Sequence, residues 1–215
     1  MFRKTLVTAF FLIVSLQAQP VAPVRIHYQG GGDWYGNKTT WKNILNEGRR
    51  LLNLPTAPKE TAAKIKDPEF SQSPFAYLAG HGNVVFDDQE AAILRRYLIR
   101  GGFLFADDDY GMDPSFRKAM KKVFPELDFV PLPFGHPIYH TVYDFNNGLP
   151  KVHEHAGGPP QGLGLIYKGR LVCFYSFNTD ISDGCEDAQI HKDPENVRRQ
   201  ALKMALNILV YALTY

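Results

Sequence analysis

One stretch in the first half of the chain, residues 73–111, limits the possible folds more than any other, because it has the pattern strand, helix, strand. Phe75–Gly80 is a short apolar run, and Phe103–Ala106 is apolar at consecutive positions, as in a strand covered on both faces. Between them, Asp87 and Glu90 have the spacing of a helix capping box. Such a unit is almost always a right-handed crossover between parallel strands. The stretch therefore predicts a parallel sheet with helices packed on it.

The rest of the chain supplies further elements of an α/β fold. Apolar and polar residues alternate over Val24–Gln29, a short edge strand is predicted near Ala62–Ile65, and Lys168-Gly169 is a two-residue hairpin signal. Helices are predicted to begin near Thr40, Asp113 and Asp193. A chain of 215 residues suits one α/β domain with a full core. We assign residues 19–215 to a single domain with a mainly parallel sheet.

The first 18 residues have the pattern of a secretory signal peptide. Arg3 and Lys4 precede the apolar run Leu6–Leu16, and the small residue Ala18 suits a cleavage site. The run is too short to span a bilayer, and no later stretch is apolar over a sufficient length. We therefore expect an exported protein, periplasmic or secreted after cleavage, with no transmembrane segment in the mature chain.

The charge balance argues against nucleic-acid binding. The sequence has 24 Lys and Arg and 22 Asp and Glu, and removal of Arg3 and Lys4 with the signal peptide makes the numbers equal. Non-specific nucleic-acid binding needs a basic face, which such a chain does not predict. The two cysteines, Cys173 and Cys185, could pair in an oxidising compartment or remain buried thiols, and both alternatives stay open.

Polar side chains follow the predicted parallel strands, at the sheet edge where open α/β folds place their sites. His81 lies between two glycines after the first strand of the unit, and Asp107, Asp108 and Asp109 follow the second. Adjacent carboxylates beside an apolar strand are costly unless cations or donors meet them, and Arg170 is a candidate counter-charge. The residues expected to bind a ligand are Asp33, Trp34, Tyr35, His81, Asp107, Asp108, Tyr110, His136, Tyr139 and Asp180.

We expect four sequence-distant turns to meet at this edge, with the long loop that holds His136 folded over them as a lid. The turns are Gly30–Tyr35, Gly80–Gly82, Asp107–Gly111 and Asn178–Asp187. Two histidines and a carboxylate could ligate a divalent metal, and the candidates are His81, Asp108 and His136. A metal is possible but not favoured, because scattered histidines more often form hydrogen bonds in loops. The cofactor is left unassigned.

Two common chemistries are disfavoured. Gly30–Gly32 matches neither a dinucleotide-binding nor a phosphate-binding loop, and Asp33 would repel an anion. A strand-to-helix nucleophile elbow needs Ser or Cys at its tip, whereas Asp107 follows the second strand and the next hydroxyl belongs to Ser115. Serine or thiol acyl chemistry is therefore not expected at this turn.

Several motifs together resemble a bacterial family known as domain of unknown function 4159, over residues 24–215. The motifs are GGGDWY, PFAYLAGHG, DDQEAAILRRYLIRGGFLFADD, HPIYH and TDISDGCED. That family is similar in fold to class I glutamine amidotransferases, so the resemblance implies a flavodoxin-like, three-layer α/β domain. It implies no activity. Asp107 and Asp108 stand near the place of the amidotransferase elbow cysteine, which implies that the glutaminase nucleophile is missing.

Three classes of function are compatible with these residues. A non-catalytic domain could bind a small polar ligand, such as a sugar or peptide, between aromatic platforms. A hydrolase could use Asp108 as a base and His81 as an acid or metal ligand. A partner-binding module of an envelope assembly would use the same groups as an interface. We favour the first class, and whether the protein is an enzyme stays open.

Overall fold

Strands and helices alternate through the part of the chain that the computed structural model describes, residues 20–154 and 157–215. The predicted signal peptide lies outside the described residues. The elements are β1 (Val24–Ile26), α1 (Thr40–Leu52), β2 (Thr61–Ala63), β3 (Phe75–His81), α2 (Asp88–Ile99), β4 (Phe103–Tyr110), α3 (Asp113–Val123), β5 (Val130–Pro131), β6 (Gln161–Tyr167), β7 (Arg170–Phe177), α4 (Ile181–Gly184), α5 (Ala188–His191) and α6 (Glu195–Thr214).

Seven strands form one mostly parallel sheet with the order β2-β1-β3-β4-β7-β6-β5. The first five strands in this order are parallel to one another. β6 runs antiparallel to both β7 and β5, and the predicted turn at Lys168-Gly169 joins β6 to β7. Both turn residues have positive φ, 49° and 81°, as a tight hairpin turn requires. The predicted α/β class and mainly parallel sheet are confirmed.

Alternate residues of the central strands supply two cores, one on each face of the sheet. Leu78 and Leu104 belong to the core that also contains the buried faces of α2 and α3. Tyr77 and Phe105 belong to the core that contains those of α1 and α6. Since side chains alternate along a strand, the inner strands are apolar at successive positions. Helices therefore cover both faces and leave the strand ends as places for a site.

The unit β3-α2-β4 forms for the reasons its sequence indicates. The Glu90 amide donates to Asp87 Oδ1 at 2.8 Å, and the Asp87 amide donates to Glu90 Oε2 at 2.9 Å, which completes the capping box. Phe86, just before the cap, is buried in the core beside α2. The chain leaves the helix at Gly101, whose φ of 113° is easily adopted only by glycine.

β4 is longer than predicted, and this changes the nature of the acidic run. We expected the strand to end at Ala106, but it continues through Tyr110. Asp107 pairs with Ala79 of β3 on one side and with Ser176 of β7 on the other, so backbone hydrogen bonds on both sides extend the strand. The three carboxylates are therefore buried strand residues and do not lie in a solvated turn.

Both cysteines are buried, free thiols, so the disulfide alternative is absent from the structure. No helix in the described ranges has the length and apolar character that crossing a membrane requires.

Candidate functional site

The loops after β1, β3, β4 and β7 meet at the carboxyl edge of the sheet, as predicted. His81 lies opposite Tyr110 in the pairing of β3 with β4. The backbone amide of Asp33 donates to the His81 carbonyl at 3.2 Å, and Asn37 Nδ2 donates to Asp109 Oδ2 at 3.2 Å. The segment after β7 reaches the same place, because Asp107 accepts a hydrogen bond from the Ser182 amide at 2.6 Å.

Asp33 and His81 form a carboxylate–histidine pair at this edge. The distance from His81 Nδ1 to Asp33 Oδ2 is 3.1 Å, and Asp33 Oδ1 also accepts a short hydrogen bond from the His81 amide. The His81 side chain is 51% exposed, so part of the ring is in contact with solvent. The pair bridges the loops after β1 and β3, which are neighbours in the sheet although β2 lies between them in sequence.

Gly80 makes this pair possible. Its φ is 136°, and a Cβ added there would lie 2.5 Å from Tyr28 Oη and 2.7 Å from Asp33 Oδ1. The absence of a side chain lets the end of β3 approach the loop after β1 closely. The sequence signal for this contact is the short motif Gly80-His81-Gly82.

The side chain of Asp108, which the hydrolase and metal alternatives place with His81, has other partners. Asp108 is buried, and it accepts hydrogen bonds from the Met112 amide and from Tyr175 Oη, each at 3.1 Å. It belongs to the face of the sheet that α3 covers, and burial raises its pKa. Asp108 and His81 lie at the same end of the sheet, as expected, but the longer β4 places the Asp108 side chain in the interior, so the pairing that the hydrolase alternative would use is not formed. Asp33 takes that place.

Asp107 and Asp109 point to the opposite face of β4, where neutral groups meet them. Asp107 accepts from the hydroxyls of Ser176 and Ser182, and burial raises its pKa to about 7. Asp109 accepts from Asn37, while its Oδ1 has no hydrogen-bond partner among the described residues. Burial and the nearby charge of Asp183 hold the pKa of Asp109 well above its usual range.

Arg170 does not meet the acidic run, so that prediction was wrong. It lies at the first position of β7, at the opposite edge of the sheet. Its guanidinium donates to the carbonyls of Leu98 and Gly102. Arg170 directly follows the hairpin turn at Lys168-Gly169, so it lies at the strand start, whereas the acidic run lies toward the carboxyl end of β4.

The acidic segment after β7 is attached firmly to α1. Thr40 Oγ1 donates to the Ser182 carbonyl at 2.7 Å, and Asn43 Nδ2 donates to the Cys185 carbonyl at 2.9 Å. Asp180, one of the predicted ligand-binding residues, is buried here and lies 3.1 Å from His153 Nδ1. The sequence carries no signal for this contact, because nothing in the spacing of His153 indicates a contact with a residue 27 positions away.

Two of the predicted aromatic platforms are exposed at the carboxyl edge. Tyr35 is 59% exposed and Tyr110 is 55% exposed. Trp34 differs, since its ring stacks on His27 at a centroid distance of 3.9 Å. A cavity of about 490 Å³ lies elsewhere, between α1 and α6. Beside the loops after β1 and β3 a cavity of about 430 Å³ opens, lined by Gly30, Asn83, Val84, Val85, Phe86, Ser115, Lys118, Ala119 and Lys122.

His136 and Tyr139 lie away from this edge, so the predicted lid is not formed by their part of the loop. The His136 ring is 5.5 Å from that of Tyr211 in α6. Tyr211 in turn packs 6.0 Å from Phe103, the first residue of β4. Tyr139 is buried in the core beside α6. His136 therefore cannot share a metal with His81 and Asp108 in this arrangement. A later part of the loop, around His153, covers the carboxyl edge.

The comparisons with known proteins agree with the sequence motifs. No curated protein matches the chain. The family model described as Domain of unknown function (DUF4159) matches residues 22–213, which is most of the sequence. The chain belongs to this family.

Proposed function

We propose that this protein of the DUF4159 family binds a small polar ligand, such as a sugar or a short peptide, at the carboxyl edge of its sheet. The observation that carries the proposal is the Asp33–His81 pair, which is half exposed at the junction of β1 and β3. The pair offers a carboxylate and an imidazole side by side. Such groups can bind hydroxyl or amine groups of a ligand by hydrogen bonds.

The sheet topology supports this location. If β1 to β4 and β7 are numbered one to five as parallel strands, their order is 2-1-3-4-5, the order of flavodoxin-like folds. In such folds the ligand crevice lies at the carboxyl ends of the strands where the strand order reverses, between β1 and β3. This order also supports our assignment of residues 19–215 to one three-layer, flavodoxin-like domain similar to class I glutamine amidotransferases.

The chain lacks the features of a glutaminase among its described residues. β4 ends at Tyr110 and is followed by Gly111, so no cysteine stands at the turn where a strand-to-helix elbow would place one. Burial raises the pKa of both Cys173 and Cys185 well above the usual range, and a thiol attacks as its thiolate. Neither cysteine is therefore suited to be a nucleophile, and the proposed role is recognition of a ligand.

Recognition would combine polar and aromatic contacts. His81 and Asp33 supply hydrogen bonds, and Tyr35 and Tyr110 supply exposed rings with hydroxyl groups on the same edge. Aromatic faces pack well against apolar sugar or peptide surfaces while their hydroxyls remain wet. The neighbouring cavity of about 430 Å³ is within the size range of small-ligand pockets.

The test is a titration of the purified protein with a panel of mono- and oligosaccharides and short peptides, followed by calorimetry and intrinsic fluorescence. We expect at least one member of the panel to bind. The variants His81→Gln and Tyr110→Ala should each lower the affinity for that ligand at least about tenfold, as loss of a central contact does. His140→Gln is the matched control, because His140 also pairs with an aspartate, Asp144 at 2.9 Å, in the loop away from the site. Failure of the whole panel, or binding unaffected by both site variants, would contradict the proposal.

The second candidate is a hydrolase, and the same pair favours it. A carboxylate that accepts from one imidazole nitrogen orients the ring, so that the other nitrogen can act as a general base toward water. Chromogenic ester, glycoside and phosphate substrates test this role. Turnover that is lost in His81→Gln and kept in His140→Gln would support hydrolysis, whereas binding without turnover would support recognition alone.

A further inference from the structure

A second cluster lies at the carboxyl edge, on the far side of β4 from the Asp33–His81 pair, and it brings together residues distant in sequence. His153 Nδ1 is 3.4 Å from Asp183 Oδ2. His191 Nδ1 is 3.7 Å from the same oxygen. One potential ligand atom from each of these three residues lies within 4.8 Å of the other two. Two imidazoles thus direct the same type of nitrogen at one carboxylate oxygen.

These separations are close to those of a metal ligand set. Two atoms bound at about 2.0–2.1 Å to a tetrahedral Zn²⁺ lie roughly 3.3 Å apart. The two distances to Asp183 Oδ2, 3.4 and 3.7 Å, need little adjustment to reach that value. Two histidines and one carboxylate also form a known ligand set for catalytic zinc, with one position left for water or a substrate.

The outer nitrogens of both histidines are held by carboxylates of their own. His153 Nε2 lies 3.1 Å from Asp193 Oδ1, and His191 Nε2 lies 2.9 Å from Glu186 Oε2. Metal-binding histidines usually have this arrangement, in which the second nitrogen donates to a carboxylate that fixes the ring orientation. If the two imidazoles lay near Asp183 only by chance, there would be no reason for a second carboxylate to fix the orientation of each ring through its Nε2 atom.

An independent observation favours a cation at this cluster. Asp183 is buried, and its Oδ1 has no hydrogen-bond partner among the described residues; the same is true of Oδ1 of the buried Asp109. A buried carboxylate oxygen without a partner costs free energy unless a donor or a cation meets it.

We propose that His153, Asp183 and His191 bind a divalent transition-metal ion, with Zn²⁺ as the ion that best fits two imidazoles and a carboxylate. Asp193 and Glu186 orient the two rings from outside. The site differs from the metal candidates that the sequence suggested, His81, Asp108 and His136, and it does not depend on ligand binding at the Asp33–His81 pair. A hard ion such as Ca²⁺ or Mg²⁺ prefers oxygen ligands and would bind less tightly.

The competing explanation is a salt-bridge network with no metal. In it His153 is an imidazolium between Asp180, Asp183 and Asp193, an environment that raises its pKa to about 10. In the network the 3.1 Å contact between His153 Nδ1 and Asp180 Oδ2 is a hydrogen bond, whereas in the metal site the same nitrogen carries no proton and binds the ion. The two explanations therefore differ in their response to metal. The network predicts no stoichiometric Zn²⁺ binding at neutral pH, whereas the metal site predicts binding that these side chains control.

The experiment uses purified protein treated with a chelator and then dialysed. Zn²⁺ is added in a calorimetric titration, and Co²⁺ is added in parallel, because its visible absorption reports the number and type of ligands. We expect one Zn²⁺ per chain, a rise of the melting temperature with Zn²⁺ concentration, and a Co²⁺ spectrum of a four-coordinate site. Mg²⁺ and Ca²⁺ at equal concentration should not compete.

Variants decide whether the binding occurs at this site. His191→Gln removes a ligand from a partly exposed side chain and should fold; we expect its Zn²⁺ affinity to fall by at least about 100-fold. Glu186→Gln should lower affinity by roughly 10–100-fold, as loss of an outer partner does. His140→Gln is the control and should bind as the wild type does. Wild-type protein that binds no Zn²⁺, or equal binding by His191→Gln and wild type, would overturn the proposal.

Discussion

The replacement Asp107→Asn tests the account of the buried carboxylates most directly. Asp107 is fully buried and its pKa rises from 3.8 to about 7, chiefly because burial disfavours its charged form. At a pH between the unfolded and folded pKa values, such a carboxyl group is protonated in the folded protein and ionised in the unfolded chain. Its contribution to stability is therefore present at low pH and is lost as the pH rises through the folded-state value.

The magnitude follows from the two pKa values. Asp107 has a pKa near 7 in the folded state and 3.8 in the unfolded chain. As the pH rises from 5 to 8, the titration of such a group lowers the free energy of unfolding by about 2–3 kcal/mol. Asparagine can keep the contacts, since its oxygen can accept from Ser182 and its amide can donate to the Ser176 hydroxyl. We expect Asp107→Asn to match the wild type within about 1 kcal/mol at pH 5 and to be about 2–3 kcal/mol more stable at pH 8.

The assay is denaturant unfolding at several values of pH between 5 and 8, with a chelator present in every buffer. Asp128→Asn is the control, because the Asp128 side chain is 83% exposed in an ion pair with Lys121, and surface pairs contribute little. Its stability should run parallel to that of the wild type. If Asp107→Asn also runs parallel to the wild type across this range, Asp107 titrates as an ordinary surface carboxylate and the reasoning is refuted.

Three other outcomes are expected. Gly80→Ala should lower the free energy of unfolding by at least about 2 kcal/mol in denaturant titrations, because the new Cβ would meet Tyr28 Oη at 2.5 Å. Asp87→Ala removes the acceptor for the Glu90 amide and should cost roughly 1–2 kcal/mol, measured in the same way; an unchanged midpoint would contradict the capping box. Expressed in a Gram-negative host, the protein should appear in the periplasm with its N-terminus near Gln19, and an intact N-terminus in the cytosol would contradict export.

Local signals predicted the framework of this fold well. The capping box at Asp87, the glycines after α2 and the turn at Lys168-Gly169 each act within a few residues, so the sequence shows them directly. The place of the His81 loop at the carboxyl edge also followed, because the two strands of a strand–helix–strand unit are parallel and their carboxyl ends lie at the same edge of the sheet.

The limits of the prediction arose from contacts between distant residues. The end of β4 depends on Ala79 and Ser176 in the neighbouring strands, so the sequence alone suggested that three adjacent aspartates begin a turn. The approach of His153 to Asp183 and His191 depends on how a loop of about thirty residues folds back over the sheet. The usual signal for a metal site is a fixed spacing of ligands on one element, and these three residues have none.

Two asparagines with similar positive φ angles allow the effect of backbone strain to be measured apart from that of side-chain hydrogen bonds. Asn53 and Asn178 have φ of 52° and 60°, the left-handed region that glycine adopts most easily. Asn53 is exposed and ends α1, where glycine is the commonest residue. Asn53→Gly should therefore raise the free energy of unfolding by a few tenths to about 1 kcal/mol.

Asn178→Gly should have the opposite effect, although the change in backbone strain is the same. The buried Asn178 side chain donates to the Gly157 carbonyl at 2.8 Å and accepts from Lys151 Nζ at 2.8 Å, and the lost bonds should cost roughly 2–4 kcal/mol. These bonds hold the loop that carries His153, so Asn178→Gly should also weaken Zn²⁺ binding, while Asn53→Gly should leave it unchanged. Melting curves and Zn²⁺ titrations of the two variants provide the test. Equal shifts in stability would show that the backbone conformation decides the outcome and that the Asn178 side chain does not hold the loop.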